Sequence, residues 1–175
     1  MVTAMTDRPS GRDETEAERL DRNLGELLQE LRVALPGVQV LFAFLLAVPF
    51  QAHFSEIDGF EKGVYFATLM FTAISAALLI APSAYHRLTF HYQQKQQLVF
   101  LANRFAIAGL GFLALAMTGA IVVITDFLFH SAAATAVAGG SALGLFVVLW
   151  GLLPLRQRFS LEQEGLRREG PRAGD

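Results

Sequence analysis

Residues 63–84 read GVYFATLMFTAISAALLIAPSA, a run with no Asp, Glu, Lys or Arg. A helix crosses a hydrocarbon core of roughly 30 Å with about 20 apolar residues, so this run predicts a transmembrane helix. Three further windows are equally free of these charges, at 33–50, 105–125 and 131–155. None carries the polar outer face that a helix in a soluble core would need. A hydrophobic content of 53% and a mean hydropathy of +0.42 are likewise too high for a soluble domain of this length. The expected fold is all-α, a four-helix transmembrane bundle with spans at about 35–52, 63–84, 105–126 and 131–154.

The basic residues give this bundle a direction. Arg8, Arg12, Arg19, Arg22 and Arg32 precede the first span; Arg87, Lys95 and Arg104 lie between the second and third; Arg156, Arg158, Arg167, Arg168 and Arg172 follow the fourth. The other two connections hold Lys62 alone. By the positive-inside rule both termini and the middle connection are expected on the cytoplasmic side, as an even number of spans requires. No short apolar region with a small-residue cleavage site precedes the first span, which therefore reads as an uncleaved anchor. Twelve Arg against two Lys, with abundant Ala and Gly, point to a GC-rich bacterial genome and hence to a bacterial plasma membrane. The absence of cysteine excludes disulfides and thiolate metal sites.

Residues 1–15 are polar and expected to be disordered, as is the tail 156–175 beyond the transmembrane domain 36–155. Thr15 and Glu18 have the spacing of a capping box. In the amphipathic helix expected over 16–35, Leu20, Leu24, Leu27, Leu28, Leu31 and Leu35 recur at helical spacing. Their stripe must be buried, either at the membrane interface or, as its mixed polar face favours, against protein. The interrupting Pro36–Gly37 predicts a bend, because proline disfavours a helical residue before it. The second and third helices read as longer than the membrane is thick, turning at QQKQQ (93–97) and projecting as a hairpin. The stretch DFLFH (126–130) is the expected link between the third and fourth spans. In the fourth, Ala132, Ala136, Gly140 and Gly144 form a ridge at spacings of four that permits close helix packing. It is expected to close the bundle against Gly109, Ala116 and Ala120 or Thr68, Thr72 and Ala76; pairing of two copies is the alternative.

Few residues carry chemistry. Ionisable groups in lipid are functional hypotheses by default, yet none falls at mid-membrane. Gln39, Asn103, Asp126 and His130 are the candidates for an ion or proton pathway, with Asp126 and His130 sharing a helix face if the third helix continues. His53, Glu56, Asp58 and Glu61 supply oxygen and imidazole groups in one connection, but their spacing matches no calcium loop. Ser83 and His86 lack an acid to orient the imidazole, which argues against nucleophilic catalysis. Tyr85, His86, Arg87, His91 and Arg104 instead suit a headgroup-level cytoplasmic face for a partner. Neither a catalytic set, a cofactor-binding motif nor a metal-ligand pattern emerges.

The segments ELLQELRVALPGVQ (26–39), APSAYHR (81–87) and the ANR that starts the third span at 102–104 resemble a family of small bacterial four-span membrane proteins of unknown function, over about residues 19–155. Some of its members carry a sodium:proton antiporter label. The resemblance implies the four-span topology and, through that label, ion exchange. The residues themselves point elsewhere, because exchangers of that kind use buried carboxylates. The expected function is that of a non-enzymatic membrane interaction or scaffold protein acting through its cytoplasmic face. A small oligomeric ion transporter or channel is the alternative. Expected partners are the lipid bilayer and another copy or another membrane protein, with no nucleic acid.

Overall fold

A computed structural model describes residues 16–88 and 95–156 of the chain. Its helices are α1 (Glu16–Ala47), α2 (Gly59–Leu88), α3 (Lys95–Phe129) and α4 (Ala132–Phe146), the last extended by a π-helical segment, Val147–Leu152. All four are long and apolar enough to span a membrane once these extensions are counted. The expected tails, the Thr15 cap and the turn of the α2–α3 hairpin lie outside the described residues. Lys95, Gln96 and Gln97 of QQKQQ are already helical, so the expected turn does not include these three.

The expected interruption at Pro36–Gly37 does not occur in α1. The helix runs unbroken through Pro36, although a proline inside a helix removes one hydrogen bond and costs about 3 kcal/mol. What opposes that cost is packing. Leu24, Leu31, Val38 and Leu45 are all buried, one every seven residues, the repeat of helices that wind around one another. Leu27 and Leu35 pack beside them, and Pro36 itself is exposed on the far side. The leucine stripe of the amphipathic segment and the buried seam of the first span are therefore one feature. Leu31 and Val38 meet Leu79 of α2, with Ala76, Ala106 and Leu113 around them.

Helices α2 and α3 form the closest pair, an antiparallel hairpin. Buried Thr68, Thr72, Ser75, Leu79 and Pro82 line the α2 side of the seam. Gly119 admits Thr68 and Gly109 admits Leu79, since a Cβ at either glycine would collide with that side chain. The Ser75 hydroxyl donates across the seam to the Gly109 carbonyl at 2.7 Å. Small residues let two backbones approach closely in lipid. Here the small residues of α2 and α3 serve each other, and the ridge of α4 takes no part.

Among the described elements, α4 packs on α3 alone. The link between them is also shorter than DFLFH suggested. Nothing in 126–129 breaks a helix, so α3 continues to Phe129 and only His130 and Ser131 are non-helical. His130 takes the left-handed conformation (φ 48°) and its N–H donates to the Asp126 carbonyl at 2.8 Å, a single-bond helix C-cap. Ser131 then caps α4 by accepting from the Ala134 N–H.

Candidate functional site

We call the end bearing the α2–α3 connection the hairpin end, and the opposite one, with residues 48–58 and 130–131, the loop end. Arg104 and Asp126 are separated by 22 residues of α3, about 33 Å at 1.5 Å per residue. That matches a hydrocarbon core of roughly 30 Å, so these two residues mark its boundaries.

Between those levels the polar groups of the interior are bonded within the bundle. The buried hydroxyls bond to helix carbonyls: Thr68 to Val64 at 2.7 Å, Thr72 to Thr68 at 2.8 Å and Ser75 to Gly109. Among the described residues, no buried side-chain polar atom lacks a partner. The remaining core is Leu, Val and Ala, with Pro82 in the seam and Tyr65 and Ile57 toward the loop end. An unsatisfied polar group costs several kcal/mol in lipid, and this packing leaves none to hold an ion or a file of water.

The pathway candidates are not brought together. Gln39 and Asn103 are exposed on the bundle surface. Asp126 is half-buried and accepts from the Thr135 hydroxyl of α4 at 2.9 Å. His130 leaves the helix at the C-cap, so the one-turn stacking that would pair its ring with Asp126 does not form. Asp126 and Thr135 instead border a groove between α3 and α4 that also touches Asp58 and reaches Thr118 and Leu143.

The ridge Ala132, Ala136, Gly140 and Gly144 is exposed along α4, and a Cβ at Gly140 or Gly144 would meet nothing within 4 Å. The side of α4 that contacts α3 is the neighbouring one: Thr135 and Gly139 are buried, and a Cβ at Gly139 would lie 2.6 Å from Val122 Cγ2. The ridge is thus an unpartnered surface, and the expectation that it closes the bundle is corrected. Its rotation outward follows from the two-residue link and the Thr135–Asp126 bond, neither of which is visible in the spacing of small residues.

At the hairpin end, Tyr85, Arg87 and Arg104 are exposed. The Arg104 guanidinium lies over the Phe100 ring, 5.6 Å from its centroid, a cation–π contact within one helix turn. The His86 side chain and all of His91 lie outside the described residues. Asp58 and Glu61, grouped above as possible ligands, have a structural task. The Asp58 N–H donates to Glu61 Oε2 and the Glu61 N–H to Asp58 Oδ1, both at 2.8 Å. This is a reciprocal capping box at the start of α2, and its D-x-x-E spacing is present in the sequence. Among the described residues no three His, Asp or Glu side chains are grouped to hold a metal ion.

Sequence reasoning missed one further feature. Pro49 has no N–H for the carbonyl of Leu45 four residues earlier, and α1 ends at Ala47. The Tyr65 hydroxyl supplies the missing donor, at 2.6 Å from the Leu45 oxygen. Phe54 stacks edge-on against the same ring, centroids 5.4 Å apart. Beneath this arrangement α1, α2, α3 and the 48–58 connection border a half-open cavity of about 360 Å³. A signal existed in Pro49 itself, but its partner, 16 residues away, did not follow from spacing.

A family described as a family of unknown function (DUF6328) has a model that matches residues 13–154. No curated protein and no solved structure matches the chain.

Proposed function

The chain belongs to DUF6328, and within that family of unknown function we propose that it is a non-enzymatic membrane interaction protein. The observation that carries this reading is the internally bonded interior: hydroxyls closed onto carbonyls beside a Leu, Val and Ala cluster. Its polar and small residues of interest lie on the surface instead. Tyr85, Arg87 and Arg104 are displayed at the hairpin end, and Ala132, Ala136, Gly140 and Gly144 along α4. In lipid, helix association rests on close packing and hydrogen bonds rather than on hydrophobic burial, and an open small-residue ridge suits it. The bundle sits in a bacterial plasma membrane with both termini and the hairpin in the cytoplasm, supported by the placement of Arg and Lys.

A small ion transporter is the second reading. Asp126 favours it, because its carboxylate borders a groove that Asp58 also lines. Against it, that groove runs down the outside of the α3–α4 pair and ends near Thr118 and Leu143, short of the hairpin end.

Photo-crosslinking in cells tests the interaction reading. A benzophenone side chain placed at Arg87 or at Gly140 is expected to give a discrete adduct with another membrane protein or a second copy. Full expression with no adduct from either face would refute it.

A further inference from the structure

The cavity at the loop end sits where α1 breaks at Pro49 and the chain folds back over it. Phe54 and Ile57 cover it from the connection, Tyr65 forms its back wall on α2, and Ala120, Val123 and Ile124 line it on α3. No charged residue lines it. Its polar groups are largely committed elsewhere: the Tyr65 hydroxyl to the Leu45 carbonyl and the Thr68 hydroxyl to the Val64 carbonyl. A ligand relying on hydrogen bonds therefore finds little in the depths of this site. Apolar cavities stay dry and accept apolar guests.

The position decides which guest. From Ala120 to Asp126, at the boundary of the hydrocarbon, the α3 wall rises about 9 Å at 1.5 Å per residue, and Phe127 and Leu128 continue it toward the headgroups. Half of a 30 Å hydrocarbon core is about 15 Å, so the cavity follows the outer part of one leaflet. Ile124 and Leu128, which line it on α3, are also well exposed on the bundle surface. The cavity thus communicates sideways with the layer in which hydrocarbon chains are the solvent. Gln51, the one amide among the lining residues, belongs to the connection above, level with ester groups rather than chain ends.

We propose that this cavity is a binding site for one acyl chain of a membrane phospholipid, held under the Phe54 and Ile57 cover. The break at Pro49 keeps the space open, and the Tyr65–Leu45 bond prevents the broken end of α1 from presenting a bare carbonyl to the chain. The proposal is independent of whether the protein binds partners or moves ions.

The full chain, reconstituted in phosphatidylcholine vesicles with a trace of phosphatidylcholine bearing a mid-chain diazirine, is irradiated and its adducts are mapped by mass spectrometry. Labelling of Tyr65, Ala120 and Val123 is expected to exceed severalfold that of Val137 and Leu145, exposed positions on α4. Ala120→Phe, which fills the cavity, is expected to remove the labelling of Tyr65 and Val123 and leave the α4 adducts unchanged. Val123→Phe provides the same block from the next turn should Ala120→Phe not fold. Wall labelling no greater than that of α4 in the unsubstituted protein would overturn the proposal, as would wall labelling that survives a well-folded blocking variant.

Discussion

Replacing Gly119 by alanine isolates the contact that holds α2 against α3. A Cβ there would overlap Thr68 Oγ1 and lie 3.2 Å from Thr68 Cβ. Thr68 is almost fully buried, and its hydroxyl is bonded to the Val64 carbonyl at 2.7 Å. The oxygen can turn away only by losing that bond; otherwise the helices must separate. Overpacking of this kind costs about 1–3 kcal/mol. Alanine's better helix propensity offsets about 1 kcal/mol, which would blur the measurement without a control. Gly111 on the same helix provides one, because a Cβ there meets nothing within 4 Å. Gly119→Ala is therefore expected to be about 1–3 kcal/mol less stable than Gly111→Ala. The assay is SDS titration of the purified protein in mixed micelles, followed by far-ultraviolet circular dichroism. Thr68→Ala alone loses a hydrogen bond worth roughly 0.6 kcal/mol in a membrane protein. Combined with Gly119→Ala, however, it relieves the collision, so the double variant should be more stable than Gly119→Ala by itself. A Gly119→Ala protein as stable as Gly111→Ala, or a Thr68→Ala effect identical in both backgrounds, would refute the reasoning.

Two further outcomes follow from the same geometry. Tyr65→Phe should cost about 1–3 kcal/mol by leaving the Leu45 carbonyl without the Tyr65 donor; in a Pro49→Ala background, which restores a backbone N–H, the same titration should show a smaller loss. On α4, Gly139→Ala should destabilise, because its Cβ would lie 2.6 Å from Val122 Cγ2. Val122→Ala should relieve that collision, and Gly140→Ala should leave the stability of a single copy unchanged or slightly raised.

The four spans were legible because a long window without charge has the same meaning in any context: hydrocarbon accepts it and water does not. Periodicity is a second signal: of the leucines that recur at one helical period in α1, Leu24 and Leu31 are buried. Where several local features compete, sequence was a poorer guide. Pro36 carries a strong local rule, yet the seven-residue burial of Leu24, Leu31, Val38 and Leu45 overrides it. Thr68, Thr72, Gly109 and Ala116 were recognisable as close-packing residues, but not which stripe they meet. That choice depends on the rotation of each helix about its axis, set by contacts such as Thr68 with Gly119 and Ser75 with Gly109. Of the candidate site, Asp126 and His130 looked like one pair. His130 takes a left-handed turn and donates its N–H to the Asp126 carbonyl, while the Asp126 carboxylate accepts from Thr135. The D-x-x-E cap at Asp58 and Glu61 was plain in the sequence, hidden only by grouping its acids with His53 and Glu56. The loop-end cavity had no sequence signature, since it is the space three helices fail to fill.

A bundle whose interior is a seam with no path through it carries no ions, and a flux measurement separates the interaction reading proposed above from the transporter reading. Proteoliposomes holding the full chain, loaded with a pH-sensitive dye, are challenged with sodium and with pH gradients. Proton and sodium movement is expected to be indistinguishable from that of protein-free vesicles while circular dichroism shows the protein helical. Sodium-dependent proton flux that disappears in Asp126→Asn would contradict the interaction reading.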